Sequence, residues 1–263
     1  AHKNGVMEFA EDSSGNAGAS MSAYAANIGM KAHIFTPSST PENKKNQIKI
    51  FGSELHLIDG PRENSTIEVK KFTNSTGITY LSHNYNPFFI EGMKSFGEEV
   101  FNEFGPEVTD IVVPVGNGSL LIGAKKAYEE LISLNKIKKM PKIHCIQVEG
   151  FSPIVKKLNN SEWEFDESSK TLAGGIAVTN PPRINQVVEA VNNCSGFGVE
   201  VKEAEIIEWH RKLAKWGFLS EITCAAAMAG TEKLIDSGAL NKASNVVIPI
   251  TGSGLKDLDK VNF

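Results

Sequence analysis

Asp110-Ile111-Val112-Val113-Pro114-Val115-Gly116-Asn117-Gly118-Ser119-Leu120-Leu121-Ile122-Gly123 joins a short β-branched run, a glycine-rich turn and the opening of an apolar helical pattern. In that order it is a strand, a tight connection and a helix, the unit from which parallel sheets are built. Two other stretches share its character. Ser13-Ser14-Gly15-Asn16 follows an apolar run at 6–10 and opens a helical pattern, and Thr251-Gly252-Ser253-Gly254 follows an apolar run at 245–250. Such loops gather at one edge of a parallel sheet, where backbone N–H groups and helix N-termini face a ligand. Three of them predict an anionic ligand gripped at several points.

Working outward, strands are predicted at 6–10, 32–36, 54–58, 110–114, 143–148 and 245–250, short and nearly continuous in apolar character. Helices are predicted at 17–28, 41–51, 86–104, 120–134, 204–216 and 223–237. The first places Met21, Tyr24, Ala25 and Ile28 on one face with Gly29 as its C-cap; the second takes Thr40 as N-cap and Pro41 as its first residue. The alternation predicts an α/β protein with two doubly wound parallel-sheet lobes. A smaller, mobile lobe spans 5–95 and a larger one spans 98–263.

Composition bounds the function. The 263 residues are 41% hydrophobic and 22% charged, with a net charge of −4, which describes an ordinary globular chain. No basic stripe with interleaved aromatics is present, so nucleic acid is not an expected partner. No apolar run approaches the length needed to span a bilayer, so no membrane is expected either. Three widely spaced cysteines predict a reducing cytoplasm without a disulfide frame, and Cys145 and Cys224 lie among apolar residues as core fillers. The six histidines show no metal-ligand spacing, so no metal is expected, and His144 falls inside a strand pattern as a core residue. The chain opens on Ala1 with an apolar run almost at once, which predicts further residues upstream.

Each loop has two readings. Gly116, Asn117, Gly118 and Ser119 let the backbone approach a phosphate at a helix N-terminus, or make a plain βα turn. No lysine follows the glycines, which excludes a nucleotide-triphosphatase loop. A dinucleotide site is the alternative, with Glu149 as the ribose-binding acid, although the glycine spacing departs from that fingerprint. Ser13, Ser14, Gly15 and Asn16 suit a carboxylate or cap a helix. Thr251 and the glycines after it let a planar ring lie against the backbone, or form a flexible turn.

Together these segments resemble the fold-type II pyridoxal-phosphate enzymes, and threonine synthase above all. The resemblance runs from Asp12 to Asp257. It rests on Ser13 to Gly18, on Asn86-Pro87-Phe88-Phe89-Ile90-Glu91-Gly92-Met93-Lys94-Ser95, on Pro114 to Gly118 and on Thr251-Gly252-Ser253-Gly254-Leu255-Lys256-Asp257. It implies pyridoxal 5'-phosphate as cofactor, with Asn16 on the ring hydroxyl, Gly116 to Ser119 and Leu120 around the phosphate, and Thr251 at the pyridine nitrogen. Ser13, Ser14 and Gly15 would hold the carboxylate of a small amino-acid substrate, with Asn86 and Lys94 also at the substrate. A neutral hydroxyl at the ring nitrogen makes a weaker electron sink than a carboxylate would, which suits elimination and replacement over transamination. The implied reaction converts O-phosphohomoserine and water to threonine and phosphate, in a homodimer whose small lobe closes on substrate. The runner-up is a serine/threonine ammonia-lyase, and a non-catalytic or dinucleotide-binding α/β protein stands outside the class.

Three departures qualify the resemblance. The Schiff-base lysine of the family belongs well upstream of Ser13, and Lys3, on the strand leading to that loop, stands roughly 20 Å short of it at about 3.3 Å per residue. Lys3 is expected to be a solvated surface charge, and the catalytic lysine to precede Ala1. Phe89 stands where the threonine synthase pattern carries an arginine for the substrate phosphate, with Lys94 and Arg183 as replacements. Ile222 follows Glu221 where proline is common, leaving Glu221 either beside the ring or as a helix-start charge.

Overall fold

Adjacent residues on each central strand belong to different cores, and this alternation sets the layers. The computed structural model describes residues 1–13, 15–256 and 258. The chain divides into two compact units, Ala1–Asn86 and Pro87–Phe263.

In the first unit β1 (Glu8–Glu11), β2 (Lys31–Pro37), β3 (Glu54–Ile58) and β4 (Thr79–Tyr80) form a sheet in the order β3-β2-β1-β4, with every pairing parallel. Phe9, Ala32 and Ile34 pack with Ala19 and Ala25 of α1 (Asn16–Asn27) and Ile48 of α2 (Glu42–Lys49). Ala10 and Phe35 face the other way, onto Val69 of α3 (Arg62–Thr76). Side chains alternate across a strand, so both faces of a parallel sheet must be covered by helices.

Three local expectations are corrected. The first strand starts at Glu8, because residues 2–4 form a 3-10 turn closed by Gly5 in the left-handed region (φ 82°). Lys3 sits exposed in that turn, not on the strand. Tyr24 and Ile28 are 71% and 42% exposed, and α1 instead buries Gly18, Ala19, Ser22 and Ala25. The small face lets α1 press on the loop before it: a Cβ on Gly18 would lie 2.3 Å from the carbonyl oxygen of Ser13. Thr40 does not cap α2. Its buried hydroxyl pairs with that of Thr36 at 2.7 Å, and Pro41 takes the N-cap position.

The second unit begins with α4 (Pro87–Phe104). Its sheet contains β5 (Asp110–Pro114), β6 (Lys142–Val148), β7 (Gly198–Val201) and β8 (Val246–Val247), parallel throughout in the order β7-β6-β5-β8. Ile111, Val113, Ile143 and Cys145 pack under α4, α5 (Ser119–Ser133), α6 (Pro153–Leu158) and α7 (Ile184–Asn193). Val112, Ile146 and Val148 pack under α8 (Glu203–Lys215) and α9 (Ile222–Asp236). The expected strand at 245–250 contracts to two residues.

His144 is fully buried inside β6. Its Nε2 pairs with Asp110 Oδ1 at 3.0 Å and its Nδ1 accepts the Phe197 N–H at 3.2 Å, an arrangement met by the neutral ring. Burial lowers its pKa below the ordinary histidine value, with Asp110 opposing. A histidine lowered in the folded state contributes stability that is complete above the unfolded pKa, about 6.5, and is lost as pH falls through that value. Urea midpoints at pH 7.5 and 5.5 should therefore separate more in the native protein than in a His144→Gln variant. Equal separations would contradict this account.

Candidate active site

In each unit the strand order reverses beside the first strand, and such a reversal opens a crevice at the carboxyl ends of the two strands that flank it. In the second unit the reversal lies between β5 and β8, paired in the register Asp110↔Val246 and Ile111↔Val247. The segments that continue these strands, 115–119 and 251–254, therefore leave the sheet at the same edge.

Gly118 sits at φ 86° as N-cap of α5, and no side chain caps the helix, so its first N–H groups are offered to a ligand. The glycines here are obligatory. A Cβ on Gly118 would lie 2.1 Å from Val187 Cγ2, and one on Gly116 would lie 2.8 Å from the carbonyl oxygen of Gly175. Gly175 in turn gives its N–H to Thr223 Oγ1 at 3.3 Å. Gln147, fully buried, holds the loop from below: its Nε2 donates to the Val115 carbonyl at 3.2 Å and its Oε1 accepts the N–H groups of Ile154 and Val155.

Thr251 is fastened to the N-terminus of α9. Its hydroxyl donates to Glu221 Oε1 at 2.7 Å, and its N–H donates to Cys224 Sγ at 3.1 Å. Glu221 is the N-cap residue of α9, accepts an ion pair from Lys256 at 2.8 Å, and gives its own N–H to the Gly252 carbonyl at 2.9 Å. Gly252 lets the Glu221 carboxyl lie close, since a Cβ there would stand 2.7 Å from it and displace it. Cys224 is thus more than a core filler, whereas Cys145 is one, and burial pushes its thiol pKa up.

In the first unit the reversal lies between β1 and β4, and the loops leaving them are 12–16 and 81–86. Ser13 is buried and its hydroxyl accepts the Gly15 N–H at 3.3 Å; it does not cap α1, whose N-cap is Gly15. Asn16 is the exposed first residue of α1, and Ser14 lies outside the described residues, as does Asp257. Asn86 closes the opposite loop with its N–H on the Ser82 carbonyl at 2.9 Å. Behind Ser13 stand two buried acids. Asp12 accepts from Tyr80 OH at 2.5 Å, Thr66 Oγ1 at 2.5 Å and Arg62 Nη1 at 3.2 Å. Glu11 contacts the His83 ring and takes its N–H at 3.1 Å; burial raises the Glu11 pKa, with His83 opposing.

Lys94 lies elsewhere. Its Nζ is 2.7 Å from both Glu91 and Glu130, in the packing of α4 on α5. Glu130 is eleven residues along α5 from Ser119, about 16 Å at 1.5 Å per residue, so Lys94 is not brought to that N-terminus. Arg183, at the N-cap of α7, donates to Gln186 at 2.8 Å. Gly175, Thr223 and Gln147 were not read from the sequence; the Gly174-Gly175 pair was the visible signal for the first.

A family profile described as "Pyridoxal-phosphate dependent enzyme" matches residues 1–252. The chain belongs to this family. Among curated relatives, a threonine synthase of Methanocaldococcus jannaschii is 29% identical over 98% of the chain and 65% of its own length. A threonine synthase of Bacillus sp. (strain ULM1) is 33% identical over 94% of the chain and 68% of its own length. The chain therefore spans about two thirds of the length of these relatives. Among solved structures, maize serine racemase aligns with a TM-score of 0.84 at 20% identity, over 99% of the chain and 77% of its own. The processed form of threonine deaminase isoform 2 from Solanum lycopersicum aligns with a TM-score of 0.82 at 18% identity, over 99% and 70%. The two parallel sheets are those of a fold-type II pyridoxal-phosphate enzyme, and the family's cofactor is pyridoxal phosphate. The second unit fits that group: an uncapped helix N-terminus behind a glycine with positive φ suits the phosphate.

Proposed function

We propose that the protein acts by elimination and addition of water on an amino-acid side chain, converting O-phosphohomoserine and water to threonine and phosphate. The neutral hydroxyl of Thr251, 2.7 Å from Glu221, carries this reading within a chain similar to threonine synthases. Bound pyridoxal phosphate supplies the electron sink for breaking bonds at the substrate's α and β carbons. The N–H groups opening α5 bind an anionic tail, and Gly118 allows its close approach. Glu221 accepts the Thr251 hydroxyl hydrogen bond in this structure; turned toward a bound ring, the same neutral hydroxyl would donate to an unprotonated nitrogen, where a carboxylate would hold a proton on it. Lys256 and Cys224 keep that hydroxyl in place. Ser13, Ser14 and Gly15 are assigned to a substrate carboxylate and Asn16 to the ring hydroxyl of the cofactor. The three free, buried cysteines accord with a reducing cytoplasm, and a second copy of the chain is the expected partner. No helix among the described residues is long and apolar enough to cross a membrane.

Phe89 favours the second reading, an ammonia-lyase acting on serine or threonine. The full protein, loaded with pyridoxal phosphate, should release phosphate from O-phosphohomoserine in step with threonine. Production of 2-oxobutyrate from threonine without phosphate release would assign it to the lyases instead. Thr251→Val should lower kcat/KM about tenfold or more, while Thr251→Ser stays near native activity. Equal activity in all three proteins would remove Thr251 from the reaction.

A further inference from the structure

The histidine positions showed no metal-ligand spacing along the sequence, yet the register of the first sheet gathers two of them. β2 and β3 pair His33↔Glu54 and Phe35↔His56, which sets His33, Glu54 and His56 on one face. His33 Nδ1 lies 3.1 Å from His56 Nε2 and 3.6 Å from the Glu54 carboxylate, and His56 Nε2 lies 3.5 Å from that carboxylate. Four-coordinate zinc with ligands at about 2.0–2.1 Å has ligand–ligand separations of roughly 3.3–3.4 Å; the two imidazole nitrogens stand near that spacing, and the Glu54 oxygens flank them, Oε2 toward His33 and Oε1 toward His56, within reach of a shared ion. The other nitrogen of His33 is 2.7 Å from Glu8 Oε1. A carboxylate on the far nitrogen is the outer partner that fixes the tautomer and orientation of a metal-bound imidazole.

The surroundings hold the donors rigid. His33 is buried, His56 stacks on Phe35 with centroids 4.2 Å apart, and Phe72 of α3 contacts both imidazoles. The Lys31 ammonium stands at the rim, 3.1 Å from Glu8 and 3.2 Å from Glu54, and its exposed side chain can leave. The cluster of Glu11, Asp12 and His83 has less to offer an ion, because Asp12 already accepts from Tyr80, Thr66 and Arg62. His33 is level with Ala10 of β1, and its ring reaches back to Glu8 at the start of that strand, away from the loop that follows Glu11.

We propose that His33 Nδ1, His56 Nε2 and the Glu54 carboxylate form a binding site for a divalent transition metal of the zinc type, with Glu8 orienting His33 and water completing the coordination. Two imidazoles and one carboxylate select zinc or cobalt over magnesium and calcium, which prefer all-oxygen sites. His33 carries its proton on Nε2 toward Glu8, so its Nδ1 lone pair is available. The proton that His56 Nε2 now donates to His33 moves to His56 Nδ1, and the metal takes its place, leaving both rings neutral.

Calorimetric titration of the full, cofactor-loaded protein with Zn²⁺, and with Co²⁺ followed by its four-coordinate absorption bands, tests the site. One equivalent should bind. Glu54→Gln, at an exposed position that folding tolerates, should weaken binding at least about tenfold; His56→Ala should weaken it about a hundredfold, and Glu8→Gln about 10–100-fold. Lys31→Met should tighten it several-fold by removing the competing ammonium. A native protein with no saturable Co²⁺ spectrum would overturn the proposal, as would binding unchanged by both Glu54→Gln and His56→Ala. Weaker binding by Lys31→Met would also overturn it, since the ammonium would then be a support and not a competitor.

Discussion

Gly118→Ala should destabilise the second unit by about 2–5 kcal/mol and lower cofactor affinity at least tenfold. Two independent causes add. At φ 86° an L-residue with a Cβ costs about 1–2 kcal/mol. The new methyl would also stand 2.1 Å from Val187 Cγ2, and Val187 is fully buried in the core under α7. Overpacking of that kind costs about 1–3 kcal/mol, and a β-branched valine in a helix has few alternative rotamers. Relief of the collision would move the very N–H groups that open α5. Urea unfolding reads the first effect, and titration with pyridoxal phosphate followed by absorbance reads the second. The double variant Gly118→Ala/Val187→Ala should restore none of the backbone strain, so its cofactor affinity should remain low. Native stability and affinity in Gly118→Ala would show that the turn is not held as described.

Asp12→Ala should cost the first unit about 3 kcal/mol or more. The carboxylate is 1% exposed and accepts from a guanidinium and two hydroxyls. Its removal leaves Arg62, Thr66 and Tyr80 without their acceptor, and breaking a buried charged cluster from one side typically costs about 3–5 kcal/mol. Asp12 also precedes Ser13 directly, so the backbone of the 13–16 loop loses its anchor at the end of β1. Asp12→Asn keeps the shape but turns one acceptor into a donor, and should fall between the two. Chemical unfolding of the three proteins checks the order; a native midpoint in Asp12→Ala would remove Asp12 as the anchor.

The parallel architecture was legible because β5, β6 and β2 are short runs, largely apolar, that sit buried on both faces, and because glycine lies close to each. β7 escaped notice because Glu200 interrupts it, its charge met by Lys156 at 2.9 Å and by Ser152 at 2.5 Å. β4 has two residues, too few for any period to show. α3 buries only Ser65 and Val69, so its pattern reads as polar throughout. The site loops were visible as glycine and serine runs, but their pairing across each sheet depends on strand order, which periodicity does not encode. Cys224 looked like filler because nothing local reveals that the Thr251 N–H points at its sulfur. The His33–His56 pair was hidden for the same reason: twenty-three residues separate positions that register makes neighbours.

The central place of β5 has a consequence for how the polypeptide is made. Its partner β8 arrives late: Asp110 pairs with Val246, and Thr109 with Asn245 across 136 residues. At about 5–20 residues per second a ribosome needs roughly 7–27 s to deliver that stretch. Throughout that interval one edge of β5 stays unpaired on the nascent chain, an aggregation hazard that a chaperone must cover, since β6 docks on the other edge.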